Sequence, residues 1–170
     1  PVMHILTPKE DGGERSACSF AQAFRGINIA VGKRNPGAVG IRFSAAQESS
    51  FEDVDIDARD GYAGVSAIPG RGMATVNVKV RGGKYGFDLK SRSGSLGGSL
   101  VGIELRGQTE RAIRSSVWNT LAVTGFLIEK DQGPVIETQS GHAQAGNMAL
   151  TDGRITLNKP GLVIDNRNGV

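Results

Sequence analysis

Two carboxylates and an arginine, set at matching places in a series of short strands, are the residues of this sequence best placed for chemistry. The triplets Ile41-Arg42-Phe43, Val65-Ser66-Ala67, Phe87-Asp88-Leu89 and Ile113-Arg114-Ser115 each hold a polar residue between apolar or small ones. Successive side chains of a strand point to opposite faces, so Arg42, Ser66, Asp88 and Arg114 face outward, and Glu137 joins them if Ile136 faces inward. Stacked about 4.8 Å apart, such strands set Asp88 and Glu137 about 9–10 Å from each other. Sugar hydrolysis runs on two carboxyl groups, about 5–5.5 Å apart for retention and about 6.5–9.5 Å for inversion. This pair lies at or just past the inverting limit. Arg114 between them favours the charged form of both, which suits a general acid poorly. The alternative account is a surface charge ladder.

Other residue groups offer competing chemistry. A polysaccharide lyase would use Arg114 as base beside Asp88, with carboxylates holding calcium against an acidic sugar. The run Glu52, Asp53, Asp55, Asp57 and Asp60 contains oxygen ligands of the right kind. It lacks a glycine-bounded loop, and a solvated strand explains it as well. Tyr62, Tyr85 and Trp118 are flat rings suited to stacking on the apolar face of a pyranose, or else to packing on a neighbouring strand. Cys18 is the single cysteine, read as a small core residue, and His4 and His142 are the two histidines. No spacing among them resembles a zinc site, so neither metal nor cofactor is expected. Gly70-Arg71-Gly72 lacks the lysine and the strand-to-helix setting of a phosphate loop.

The elements that must position these residues show themselves as a repeat. One strand set contains Ile27-Asn28-Ile29, Val54-Asp55-Ile56, Val78-Lys79-Val80, Ile103-Glu104-Leu105, Phe126-Leu127-Ile128 and Ile155-Thr156-Leu157. The second set runs from Ile41-Arg42-Phe43 through the triplets above to Val135-Ile136-Glu137 and Leu162-Val163-Ile164. From Ile29 through Ile56, Val80, Leu105 and Ile128 to Leu157 the steps are 27, 24, 25, 23 and 29 residues. A period near 25 residues with two or three short strands in each is the pattern of a β-solenoid, whose coils bury their apolar edges only by stacking. The 25 glycines among 170 residues, many beside Asn or Asp, supply the turns. The spacing of Phe20, Ala21 and Phe24 predicts a short helix over 14–24, capping the first coil. The expected architecture is therefore an all-β, right-handed, single-stranded parallel β-helix of about six coils, with residues 1–26 as cap and entry segment and 27–170 as the solenoid. The end at 162–170 shows no cap, so further coils, a second β-helix domain or a partner chain are expected there.

Composition excludes some classes. The net charge is +3, with acids and bases interleaved as in Phe51-Glu52-Asp53-Val54-Asp55 and Lys79-Val80-Arg81. A nucleic-acid binder would carry a one-sign stripe with aromatics beside it. No apolar run reaches transmembrane length, and no membrane partner is expected.

The stretches Gly40-Ile41-Arg42-Phe43-Ser44-Ala45-Ala46-Gln47-Glu48-Ser49-Ser50 and Arg81-Gly82-Gly83-Lys84-Tyr85-Gly86-Phe87, in that order and at that separation, resemble the first β-helix domain of glycoside hydrolase family 55. The resemblance extends over 32–113, with a looser match from Leu105 through Gln108 to Ala112-Ile113. These are β-1,3-glucanases within the pectate-lyase-like superfamily. The resemblance implies a cleft between two β-helix domains, with Gln47 as the glutamine that positions the attacking water and a second domain supplying the acid. The serine that normally joins the water relay has no counterpart in Ile68-Pro69-Gly70-Arg71-Gly72, and Ser66 is the closest. The sequence thus leads to a carbohydrate-active module of a glycoside hydrolase acting on a polysaccharide such as β-1,3-glucan. Gln47, Asp88 and Glu137 are its catalytic candidates, and Arg42, Ser66, Arg114, Tyr85 and Trp118 its substrate-binding ones. A non-catalytic glycan-binding or structural solenoid, such as a surface fibre or tail spike, and a polysaccharide lyase are the alternatives. By analogy with the fold class the protein is expected to be secreted, at the cell surface or periplasmic.

Overall fold

Short alternating strands that each carry one apolar edge can bury it only against one another, and the chain does this by winding. The computed structural model describes residues 2–5, 7–8, 14–15, 19–70, 73–89, 97–117, 119–139 and 147–167. Among them are strands and turns and no helix. Nearly all strands fall into two parallel sheets that the chain visits in turn. A narrow sheet of seven strands runs in the order Met3–Ile5, Val39–Phe43, Ala63–Val65, Tyr85–Leu89, Arg111–Ser115, Ile136–Thr138 and Ile164–Asn166. A wide sheet of ten strands stacks Ser50–Asp57 on Ala74–Arg81, with pairs of shorter strands continuing the layers on either side. All pairings within the two sheets are parallel. The one antiparallel pair is Thr7–Pro8 with Glu14–Arg15. The wide sheet is six layers deep, so about five turns separate its first layer from its last. This is a parallel β-solenoid, consistent with a pectate-lyase-like fold.

The core lies between the sheets as stacks of like residues. Ile56, Val80, Leu105 and Ile128 pair in sequence along the wide sheet, and Ile41, Val65, Phe87, Ile113 and Ile136 along the narrow one, all 0–2% exposed. Each such side chain contributes about 1.5–3 kcal/mol by leaving water. Gly40, Gly64 and Gly86 form a further stack, set closely against Ile56, Val80 and Leu105 of the wide sheet. A Cβ at Gly40 would lie 2.7 Å from Ile56 Cγ2, and one at Gly86 would lie 2.7 Å from the Ala112 carbonyl.

One column bends the wide sheet. Gly26, Asp53, Asn77, Gly102, Gly125 and Asp152 occupy matching places in the six layers, and all have φ between 49° and 65°. This left-handed conformation is open to glycine and tolerated by Asn and Asp, the residue types found in the column. Asn77 Nδ2 donates to Asp53 Oδ1 at 2.7 Å, tying two layers along the bend.

Three expectations are corrected. The helix over 14–24 does not form among its described residues. Glu14–Arg15 is extended, Ala21 has φ 53°, which no right-handed helix admits, and Ala23–Arg25 is a strand. Phe24 pairs with Phe51 and packs its ring 6.0 Å away, so pairing with the next layer overrides local spacing. The partner of Ile128 is Ile155 rather than Leu157, which pairs with Lys130. Ile27 likewise lies outside the strands, since Ile29–Ala30 carries the pairing with Ile56 and Asp57.

Candidate functional site

The register of the narrow sheet builds the polar column. Asp88 pairs with Arg114, Arg114 with Glu137, and Glu137 with Asp165. At the other end His4 pairs with Arg42, and Ser66 directly follows Val65, which pairs with Ile41 and Phe87. Ile136 is fully buried, which sets Glu137 on the outer face. The five column residues named from alternation thus share one face, with His4 and Asp165 extending it.

Within the column, the Asp88–Arg114 pair is the most extensively hydrogen-bonded. Arg114 Nε donates to Asp88 Oδ1 and Nη2 to Oδ2, each at 2.7 Å, a bidentate arrangement. The same guanidinium donates from Nη1 to the Tyr85 hydroxyl at 2.8 Å and from Nη2 to the Tyr62 hydroxyl at 2.7 Å. Its carbon lies 3.9 Å from the Tyr85 ring centre, so a cation–π contact adds to the hydrogen bonds. The two tyrosine rings are 5.2 Å apart and inclined at 55°. Tyr62 and Tyr85 come from adjacent layers, at the corner where the chain enters the narrow sheet, and Arg114 reaches them from the layer beyond.

Burial sets the electrostatics of this group. Burial alone would lower the pKa of Arg114, yet the Asp88 hydrogen bonds and charge push it above the ordinary arginine range. Burial raises the pKa of Tyr62, reinforced by the charge of Asp88 and opposed by Arg114. Tyr85 is raised by burial as well, with Arg114 opposing. Both phenols therefore remain protonated beyond their usual range. Both hydroxyls accept from Arg114, which leaves the O–H of each free to donate.

Glu137 has a separate set of partners. Arg111 Nε donates to its Oε2 at 3.1 Å, and Arg167 Nη2 lies 3.6 Å from the same oxygen. Asp165 holds Arg167 at 2.8 Å and lies 4.0 Å from Arg111. Asp88 and Glu137 are each about 6% exposed. They stand two layers apart, about 9–10 Å, with Arg114 between.

The remaining candidates are scattered. Gln47 lies in the corner following Val39–Phe43, its carbonyl accepting from the Ala21 N–H at 3.2 Å. Its side-chain Oε1 is buried with no hydrogen-bond partner among the described residues. That corner belongs to the Arg42 layer, and the register does not bring it to Asp88 or Glu137. Trp118 lies outside the described residues, as do Cys18, His142 and the Arg71-Gly72 pair. The acidic run is divided by the bend: Asp53 accepts from Asn77, and Asp57 pairs with Arg59. Among the described residues no group of three or more His, Cys, Asp or Glu converges as a metal site.

Reading the sequence alone missed Tyr62 as a partner of Arg114, and missed Arg111 and Asp165. Asp165 had a signal: Ile164-Asp165-Asn166 carries the same apolar–acid–polar pattern as Ile136-Glu137-Thr138. Compared with known proteins, the chain matches no family model, no curated sequence and no solved structure.

Proposed function

We propose that this chain is a carbohydrate-active β-helix module that holds a polysaccharide along the outer face of its narrow sheet. The observation that carries the reading is the Tyr62–Tyr85 pair braced by Arg114 beside Asp88. The aromatic pair offers apolar rings to a pyranose, and the fixed polar groups around it offer hydrogen bonds to hydroxyls. The cations and anions of the column pair off internally, which favours a neutral glycan over a uronan. In the fullest form of this proposal the module belongs to a glycoside hydrolase of the family 55 type acting on β-1,3-glucan. Gln47 then positions water, Asp88 and Glu137 line the cleft, and the acid comes from further coils or a second domain. Leu162, Val163 and Ile164, 37–55% exposed, are the surface such a continuation would cover. A secreted or surface location accompanies this reading.

A second reading, a glycan-binding or structural solenoid without turnover, draws on the ion pairs. Asp88 is occupied by Arg114 in bidentate fashion and Glu137 by Arg111, the arrangement of structural carboxylates rather than of a general acid. The same bidentate lock disfavours the lyase alternative, which needs a neutral Arg114 as base. The test is calorimetric titration of the protein with β-1,3-linked glucose oligomers and with oligogalacturonate, alongside reducing-sugar release. Saturable binding of the neutral oligomers, weakened at least tenfold by Tyr85→Ala, supports the reading. Equal affinity of wild type and variant, or no binding of either oligomer, ends it. Sugar release then separates the hydrolase from the binding module.

A further inference from the structure

A second polar site lies at the corner where the wide sheet turns into the narrow one. Gln108 follows the strand Glu104–Arg106, is 3% exposed, and has its side-chain nitrogen surrounded by three backbone carbonyls. These are Val80 and Gly82 of the preceding layer, each at 3.1 Å, and Arg106 at 3.0 Å. A nitrogen with two hydrogens facing three acceptors is satisfied, and this fixes which end of the amide is which. Oε1 is buried as well, with no donor among the described residues. Leaving such a carbonyl unmatched costs about 1–3 kcal/mol.

One layer further on stands Lys130, 5% exposed, at the inward-facing place after Ile128. Its Nζ donates to the Gln108 backbone carbonyl at 2.8 Å. An ammonium carries three hydrogens, so two remain without an acceptor among the described residues. Burial, with Arg111 adding to it, lowers the pKa of this amine. A cleft of about 310 Å³ opens between the 107–109 and 130–133 corners and is lined by both residues. A water takes about 30 Å³ in the liquid, so the cleft exceeds one bridging water by about tenfold and reaches the lower range of small-ligand sites.

The unmatched atoms define the occupant. Oε1 needs a donor and the ammonium needs acceptors. An anion such as sulfate supplies acceptors only and sets its oxygen against Oε1. A hydroxyl group both donates and accepts, and a vicinal pair serves both atoms together. At the rim Asp131 is already paired with Lys159 at 2.7 Å, so the entrance adds no net charge. We propose that this corner cleft binds one residue of a neutral sugar, seating a vicinal hydroxyl pair between Gln108 Oε1 and Lys130 Nζ. The proposal goes beyond the narrow-sheet reading and rests on different residues.

The test is NMR of protein carrying 13C,15N-lysine, with the Lys130 signals assigned by their loss in Lys130→Met. Methyl β-D-glucopyranoside and inorganic sulfate are titrated separately. The expected result is a saturable shift of the Lys130 Cε and Hε signals with the glucoside and none with sulfate, retained in Tyr85→Ala. Lys130→Met, which keeps most of the buried stem, should weaken glucoside binding at this cleft at least tenfold, read from the amide signals of 107–109 in uniformly 15N-labelled protein. A Lys130 signal unmoved by the glucoside would mean water alone fills the cleft and would overturn the proposal. A response to sulfate in place of the glucoside would overturn it too. Because these readouts lie at the corner and the calorimetric test turns on Tyr85, either site can fail while the other stands.

Discussion

The narrow and wide sheets are built from the same repeating layers, yet their outward charges differ in kind. On the wide sheet Arg106 bonds Glu104 within its strand and Glu129 in the next layer, with side chains 43%, 26% and 42% exposed. On the narrow sheet the side chains of Asp88 and Arg114 are 6% and 15% exposed, and those of Glu137 and Arg111 are 8% and 16% exposed. Water screens the first ladder, and such pairs typically contribute 0–1 kcal/mol. The second ladder is largely shielded, with Tyr62 and Tyr85 bonded to its guanidinium, so each charge depends on its partner. A β-solenoid can repeat its core and still make one face a solvated surface and the other a fixed polar platform. What distinguishes them is the cover over the outward column rather than the backbone beneath it.

The sharpest way to break this comparison is to remove one member of each ladder. Asp88→Ala strands the half-buried Arg114 and is expected to lower stability by about 3 kcal/mol. Arg106→Ala, on the wide sheet, is expected to change it by less than about 1 kcal/mol. Urea denaturation of both variants measures the difference, and similar losses would show that the two faces are energetically alike. The backbone they share is tested by Gly64→Ala. Its new Cβ would press on Val80 of the wide sheet, and overpacking of this kind typically costs about 1–3 kcal/mol. A neutral result there would mean the sheets can separate, and the common frame would be looser than the stacked glycines imply.

How much of this was visible in the sequence follows from which residues repeat. Ile41, Val65, Phe87 and Ile113 each precede the outward residue, so alternation alone placed Arg42, Ser66, Asp88 and Arg114 in one column. Glu137 was reachable only by choosing Ile136 as the inward residue, because Val135 is apolar as well. The wide sheet's last step was misjudged for a related reason: Ile155 and Leu157 both point inward, and only the bend at Asp152 says which of them follows Ile128. The 14–24 segment misled because Phe20 and Phe24 are four residues apart on paper, while pairing with Ser50–Asp57 decides the matter in space. The tyrosine pair could not be foreseen, since its contact depends on how two corners stack. The Gln108–Lys130 cleft escaped notice for the same reason: Gln108 was seen only as part of the looser family match, and nothing in the sequence sets Lys130 beside it.

A smaller effect sharpens the comparison from the side of the aromatic cover. Tyr62→Phe removes one hydroxyl acceptor from Arg114 and should lower stability by about 1 kcal/mol, measured by urea denaturation.

The finest test uses pH, because Tyr62 and Tyr85 are the only tyrosines of the protein, so tyrosinate absorbance near 295 nm reports the platform alone. Burial raises both above the ordinary value of 10.0, so the native midpoint should lie above that of the urea-unfolded chain. A group whose pKa is raised by folding binds its proton more firmly in the native state. Its stabilising contribution is therefore complete below pH 10 and is lost as the pH climbs through the native value. Lys130 has the opposite sign. Its pKa falls on burial from 10.5, so the native state releases that proton first, and stability rises with pH between the lowered value and 10.5. The two trends meet near pH 10, and Lys130→Met removes the rising one. Stability of that variant should then decline more steeply above pH 10 than that of the wild type. Coincident native and unfolded tyrosinate midpoints would mean that the rings are as wet as the ladder on the wide sheet, and the contrast between the two faces would dissolve.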